Sequence, residues 1–183
     1  MVVLLDDNTR PKGPTFENLT PAQKAPGRHL KMFHDHFRQN MTVLRNLIAE
    51  AERGELSAAD LKARADALPI TENYRRFGAI CGQHCQMIHG HHSIEDAHIF
   101  PEISAKAAAF QKVVDRLVAE HEVVHALLLE LIATLNTLIK DPTSDNFKSA
   151  RETYDTLEKV LLSHFGYEED SIGDALGVYQ IAV

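Results

Sequence analysis

The 183-residue chain has few cysteines, no long apolar run and no excess of basic charge. Two cysteines do not make a disulfide framework, so a reducing cytoplasm is the expected location. No apolar stretch approaches the roughly 20 residues that span a bilayer, and the apolar start meets Asp6 and Asp7 too soon for a signal peptide. A formal net charge of −7 gives no electrostatic footprint for binding nucleic acid or an anionic membrane.

Strand-like alternation and solenoid repeats are also missing, whereas apolar residues recur at helical spacing. The short connections between the helices are typical of an up-down-up-down four-helix bundle, so the predicted fold class is all-α. The four long helices are expected at about 28–53, 71–99, 107–140 and from 144 onward, with a short helix at 57–68. Residues 1–27 are expected to form an extended N-terminal arm, residues 28–175 the bundle, and residues 176–183 a C-terminal tail.

Histidine is abundant, with eleven in the chain, and several histidines fall on the apolar stripes of the predicted helices. Pairs of potential metal ligands are four residues apart, which puts both members of a pair on one helix face. The pairs are His91 with Glu95, His121 with His125, and His164 with Glu168, while His34 stands alone on the stripe of the first helix.

Seven such groups in a core would be costly, because each unpaired buried polar group destabilises the fold by roughly 1–3 kcal/mol. A metal offsets that cost by accepting the lone pairs and neutralising the carboxylates. Five imidazoles and two carboxylates exceed the four ligands of one zinc ion, so two metals bridged by the carboxylates are predicted. The mixed nitrogen and oxygen set suits iron, manganese or zinc, and an open position favours iron that does dioxygen chemistry.

Residues 28–173 resemble the hemerythrin-like family, which carries the HHE cation-binding domain. The resemblance lies in the His34-Asp-His-Phe-Arg stretch, in His91-His92-Ser-Ile-Glu95-Asp96 with Ile-Phe-Pro after it, in His121-Glu-Val-Val-His125, and in His164-Phe-Gly-Tyr-Glu168-Glu169. It implies a non-heme diiron centre with an oxo or hydroxo bridge, in which Glu95 and a carboxylate of the last helix also bridge the two iron ions. Family oxygen carriers place that last carboxylate five residues after its histidine, which would be Glu169, whereas helical phase favours Glu168.

The leading functional hypothesis is a diiron protein that binds O2, peroxide or nitric oxide at an open iron position, with an unidentified redox partner. The same centre could belong to an oxidoreductase of the catalase or peroxidase type, or to one that handles nitric oxide. A third hypothesis is an interaction protein that senses iron or oxygen. A remote alternative is a zinc protease, because His121-Glu122-Val-Val-His125 fits the HExxH pattern.

Other polar residues near these motifs receive weaker predictions. His84 and His98 lie seven residues on either side of His91, and His92 follows it directly, so all three are candidates for groups that support the ligands or line a channel. Cys81 and Cys85 are expected to be small core or boundary residues rather than ligands.

Overall fold

In a computed structural model of the protein, the described residues are 2–53, 84–141 and 143–182, and all regular secondary structure among them is helical. The prediction of an all-helical chain is confirmed for these residues. The elements are α1 (Ala25–Arg53), α2 (84–94), a π-helical turn (Glu95–Ile99), α3 (Phe100–Lys106), α4 (Gln111–Lys140) and α5 (Ser144–Val178), with 3-10 turns at Asp7–Thr9 and Ala108–Phe110. The predicted helix at 57–68, the first part of the helix predicted at 71–99, and Cys81 lie outside the described residues.

Helix α1 begins at Ala25, three residues before the predicted start, with Pro26 in its first turn. Proline is tolerated there because a first-turn N–H has no partner within the helix. Gly27 allows this end of α1 to approach α5 closely, since a Cβ at that position would lie 2.5 Å from the carbonyl oxygen of Gly173. The close approach holds α1 along α5, and α5 also packs along α4.

The sequence predicts that the second helix ends at about residue 99, but helical structure continues past Pro101 to Lys106. The π-helical turn precedes Pro101, and the N–H of Phe100 donates to the carbonyl of Glu95, five residues back. This shift in register places Pro101 in the first turn of a new α-helical segment, which continues to Lys106. One continuous helical rod therefore runs through the His91–Glu95 motif, with an irregular turn directly at Glu95.

The buried apolar residues form two clusters at different heights along the helices. On α1 the first cluster contains Phe37 and the second contains Leu30, with His34 between them. The same order holds on α4, where His121 lies between Val124 and Leu117. A layer of buried polar side chains therefore separates two apolar layers: His34, His92, Glu95, Glu120, His121, His164 and Glu168.

The N-terminal segment (residues 2–24) contains one 3-10 turn and lies against α4 and α5. Phe16 stacks on Phe110 at a centroid distance of 6.2 Å, and the hydroxyl of Tyr167 donates to the carbonyl of Pro11 at 2.8 Å. At the other end of the chain, α5 continues to Val178, and Ile181 is buried in the second cluster, so residues predicted as a tail take part in the core. No helix in the described part of the chain has the length and apolarity needed to cross a membrane.

Candidate metal centre

Four helical segments each contribute side chains to the polar layer. His34 comes from α1, His91 and His92 from α2, His121 from α4, and His164 and Glu168 from α5, while Glu95 begins the π-helical turn. Two groups of potential ligands result, each with its donor atoms within 4.8 Å of one another. One group is His34, His91, Glu95 and Glu168, and the other is His92, His121 and His164.

Each group contains two imidazole nitrogens at a short distance. Nε2 of His34 lies 3.0 Å from Nε2 of His91, and Nε2 of His121 lies 3.1 Å from Nε2 of His164. Two nitrogens at about 2.1 Å from one ion and at right angles to each other would be about 3.0 Å apart. The spacing in both groups therefore matches a pair of ligands on a common metal.

The outer nitrogens of three histidines contact carboxylates. Nδ1 of His34 lies 2.9 Å from Glu169, Nδ1 of His121 lies 2.8 Å from Asp96, and Nδ1 of His164 lies 3.1 Å from Glu120. An ionised carboxylate only accepts hydrogen bonds, so each of these Nδ1 atoms donates one, and Nε2 is left as the atom that can ligate a metal. The Nε2 atoms of His121 and His164 face each other at 3.1 Å, so one cation could bind both of them.

Glu95 and Glu168 belong to the group of His34 and His91 and also lie near histidines of the other group. One oxygen of Glu95 is 3.0 Å from Nε2 of His91, and the other is 3.7 Å from Nε2 of His121. Oε2 of Glu168 lies 3.4 Å from Nε2 of His34 and 3.7 Å from Nε2 of His164. Each carboxylate can therefore reach both groups, which is the position of a bridging ligand between two ions.

The polar atoms of the layer fit a metal better than they fit one another. All four oxygens of Glu95 and Glu168, together with Nε2 of His92, are buried without a well-formed hydrogen bond. Such groups would each destabilise the fold if left unpaired. Two divalent cations would satisfy all of them, so the residues present fit a dinuclear centre.

The electrostatics of the metal-free site point the same way. Burial, together with the charge of Glu168, raises the pKa of Glu95 well above its ordinary value. Burial also opposes ionisation of Glu168, but the contact with His34 and the charges of His164 and His121 lower its pKa to about 2. Without a cation, one of the two carboxylates must take up a proton, whereas bound metal would let both ionise.

The scan of protein families gives a match to the hemerythrin HHE cation-binding domain over residues 55–176. This match covers more than half of the 183 residues. The chain belongs to this family. No curated protein and no solved structure gave a match. His34 on α1 and the whole N-terminal segment lie outside the matched range, so the family match does not bear on their positions.

His125 does not join the other predicted ligands of the HHE domain. It is exposed, and its ring lies 4.8 Å from the ring of His89. It follows the fully buried Val124 by one residue, which turns it about 100° away from the core face of α4. The structure instead brings His92 into the layer, where its ring stacks on His121 at 3.9 Å.

This placement also weakens the protease alternative. His121 and His125 share no ligand group within the described residues, and Glu122 is exposed. The described part of the chain contains no strand that could align a peptide substrate. Within the described residues, the HExxH pattern therefore combines one buried and one exposed histidine and gains no support from the structure.

Glu169 has a different position from the bridging one that the oxygen-carrier spacing suggested. It contacts Nδ1 of His34 and forms an ion pair with Arg38 at 2.8 Å, while Glu168 occupies the layer itself. Of the weaker candidates, His98 is exposed, and His84 is buried two turns before His91 with its ring 6.1 Å from Phe37. Cys85 is buried in the first apolar cluster, as expected for a core residue.

Sequence reasoning missed Glu120. Glu120 directly precedes His121, so a simple helical wheel puts it off the ligand stripe, yet it reaches His164 on a neighbouring helix. Hydrogen bonds from His164, Arg10 and Arg116 outweigh the effect of burial and lower the pKa of Glu120 to about 2. An arginine four residues before this glutamate was the one local signal for a buried acid.

Proposed function

We propose that the protein is a non-heme diiron protein that binds O2 or a related small ligand, namely peroxide or nitric oxide. The observation that carries the proposal is a pair of buried carboxylates, Glu95 and Glu168. Their oxygens have no well-formed hydrogen bond, and they lie close to histidines of both groups. Iron bound here would supply reversible electron transfer to such a ligand. His34 and His91 would hold one ion and His92, His121 and His164 the other, with both carboxylates shared.

The two groups offer unequal numbers of histidines. The group of His92, His121 and His164 would give its ion three imidazoles besides the shared carboxylates, whereas the group of His34 and His91 would give two and so leave more room for a further ligand. The ligand is therefore expected on the side of His34 and His91. On the other side, the carboxylates of Asp96 and Glu120 hold the protons of His121 and His164 on Nδ1 and so fix the orientation of both rings.

A cavity of about 420 Å³ supports this assignment of the open side. Its wall includes His91 and Glu95, and apolar side chains make up most of the rest: Phe33, Phe37, Met87, Ile94 and Ile99, with Gly90 and His36. An apolar passage admits small uncharged ligands and disfavours water and ions. Phe37, which is buried and has its ring 5.2 Å from that of His91, would cover the ligand.

Metal content and an optical spectrum test the proposal. The protein as purified is expected to contain about two iron ions per chain and to show charge-transfer bands of ferric iron, which zinc cannot produce. Glu168→Gln is expected to lose metal, whereas Glu152→Gln, on the exposed surface of the same helix, should retain it. A content of one ion per chain, or zinc in place of iron after reconstitution with both metals, would contradict the proposal.

A second candidate is a peroxide-consuming oxidoreductase with the same centre. The same cavity would admit hydrogen peroxide, which is uncharged and close to O2 in size. Stopped-flow spectroscopy separates the two candidates. A carrier forms an adduct with O2 that disappears on removal of the gas, whereas an oxidoreductase evolves oxygen from added peroxide over many turnovers.

A further inference from the structure

Arg10, in the N-terminal segment, forms two hydrogen bonds with Glu120, the carboxylate that contacts His164. Its Nε and Nη2 atoms donate to the two oxygens of Glu120 at 2.8 and 2.9 Å, and its Nη1 donates to Ser163 at 2.9 Å. The guanidinium also lies 4.7 Å above the ring of Tyr167, and its side chain is only 15% exposed. A bidentate contact of this kind fixes the plane of the carboxylate as well as its position.

The two oxygens of Glu120 have different partners besides Arg10. Oε1 accepts from Nε of Arg116 at 2.7 Å, while Oε2 accepts from Nδ1 of His164 at 3.1 Å. Within the described residues, Arg10 is thus the cation that holds the oxygen facing His164. Without Arg10, Arg116 could retain Glu120 through Oε1, but the carboxylate would be free to rotate away from the histidine.

We propose that Arg10 is a positioning residue of the metal centre, which sets the orientation of His164 through Glu120. This inference rests on the proposed dinuclear site. It assigns the N-terminal segment a role in metal binding, although that segment lies outside the residues matched to the family.

The segment is fastened at several points around Arg10, as a positioning role requires. Arg116 donates to the side chain of Thr9 at 2.8 Å and to the carbonyl of Asp6 at 2.9 Å, so the same arginine contacts both the segment and Glu120. The hydroxyl of Ser163, which precedes His164, donates to Asp7. These contacts join residues 6–10 to the part of α5 that carries the ligand.

Cobalt(II) provides a probe that does not depend on activity. Anaerobic titration with Co(II) gives the affinity from the visible bands, and the protons on Nδ1 of ligating histidines appear as shifted, exchangeable signals in the NMR spectrum of the paramagnetic protein. For Arg10→Gln we expect Co(II) binding weaker by up to about tenfold, because direct partners of ligands contribute about 10–100-fold and Arg10 acts one contact further out. One exchangeable signal, that of His164, should shift or broaden.

Two matched variants separate positioning from general docking of the segment. Arg10→Lys keeps the positive charge but cannot form the two parallel hydrogen bonds to Glu120. Its Co(II) affinity and its His164 signal should therefore lie between those of the wild type and Arg10→Gln. Phe16→Leu weakens the stacking of the segment on Phe110 and lowers stability without touching Glu120, so its Co(II) spectrum should match the wild type.

Several results would overturn the inference. Arg10→Gln with unchanged Co(II) affinity and unchanged exchangeable signals would exclude a role at the centre. Equal effects of Arg10→Gln and Phe16→Leu on Co(II) affinity would show that Arg10 only holds the N-terminal segment against the helices. Wild-type protein that binds fewer than two Co(II) ions would overturn the dinuclear site itself, and this inference with it, a result distinct from the other two.

Discussion

The group of His92, His121 and His164 is enclosed by protein, whereas the group of His34 and His91 borders a cavity that opens to solvent. In the first group, two outer nitrogens contact Asp96 and Glu120, and the N-terminal segment adds Arg10 outside Glu120. In the second group, His34 contacts Glu169, while His91 forms part of the cavity wall.

This difference suggests a division of work between the two sides of one centre. In the proposed centre, the three-histidine group would hold its ion firmly, because Asp96 and Glu120 fix the rings of His121 and His164. The two-histidine group would leave a position accessible through the apolar cavity. The shared carboxylates of Glu95 and Glu168 would couple the two ions, so a ligand at the open side is sensed by both.

The largest expected effect comes from removing a ligand from either side. His164→Ala should abolish measurable metal binding at the enclosed group, whereas His91→Ala should leave one ion per chain there. The metal-to-protein ratio after anaerobic loading and desalting measures both. His125→Ala is the control, since the exposed position of His125 predicts a wild-type ratio; metal loss in that variant would restore His125 as a ligand.

The next effect concerns acid stability on the open side, where His84 packs near Phe37. Burial, together with the charge of His36, lowers the pKa of His84 to about 4, so folding keeps this ring neutral while the unfolded chain takes up a proton below pH 6.5. The folded pKa is depressed, so stability falls as the pH drops from about 6.5 to 4, by roughly 3 kcal/mol in total, and then levels off.

Denaturant unfolding of the wild type and of His84→Leu over this pH range measures the effect of His84. Acid loss of metal is common to both proteins and cancels in the difference. The difference in the free energy of unfolding should therefore grow in favour of His84→Leu as the pH falls. A difference that stays constant with pH would show that His84 takes up its proton at the same pH in the folded and the unfolded protein.

Removing the outer partners should weaken metal binding by about 10–100-fold. Asp96→Asn and Glu169→Gln act on opposite sides, through His121 and His34 respectively. Competition with a chelator should show loss of one ion in each case, from the enclosed group with Asp96→Asn and from the open group with Glu169→Gln. If both variants lost the same ion, the assignment of histidines to two separate groups would be wrong.

The smallest expected effect is on ligand entry. Gly90 lines the cavity, and a Cβ built there meets nothing within 4 Å, so Gly90→Leu should fill the passage without a clash. Association of O2 or nitric oxide with the reduced protein should slow several-fold by stopped-flow absorbance. Gly166→Leu is the matched control, because Gly166 is also a helical glycine in open space but does not line the cavity. Equal rates in both variants would place the entry elsewhere.

How much of this centre the sequence predicted varies from residue to residue. Helical phase alone placed His34, Glu95, His121, His164 and Glu168 in the polar layer, because each lies on an apolar stripe of its helix. The same reasoning chose Glu168 over Glu169 as the residue in the layer, since a spacing of four keeps it on the face of His164.

Helical periodicity did not predict the position of a side chain that lies away from the centre of an apolar stripe, or of one in an irregular helix. On a helical wheel His92 lies about 40° from the buried Ile88, whereas His125 lies about 100° from the buried Val124. The prediction favoured His125 because of its spacing of four from His121 and did not weigh its distance from the centre of the apolar face. The π-helical turn at Glu95 changes the register that follows, and Asp96 within this turn contacts His121. No local pattern marks such a turn.

The sequence by itself determined that the chain is helical and that its core must contain nitrogen and oxygen donors, because spacing along one helix is a local property. The tertiary structure alone decided how those donors divide into two groups, which of two edge histidines joins them, and that Arg10 stands behind Glu120. These are distances between segments far apart in the chain, and the packing of the apolar layers above and below fixes them.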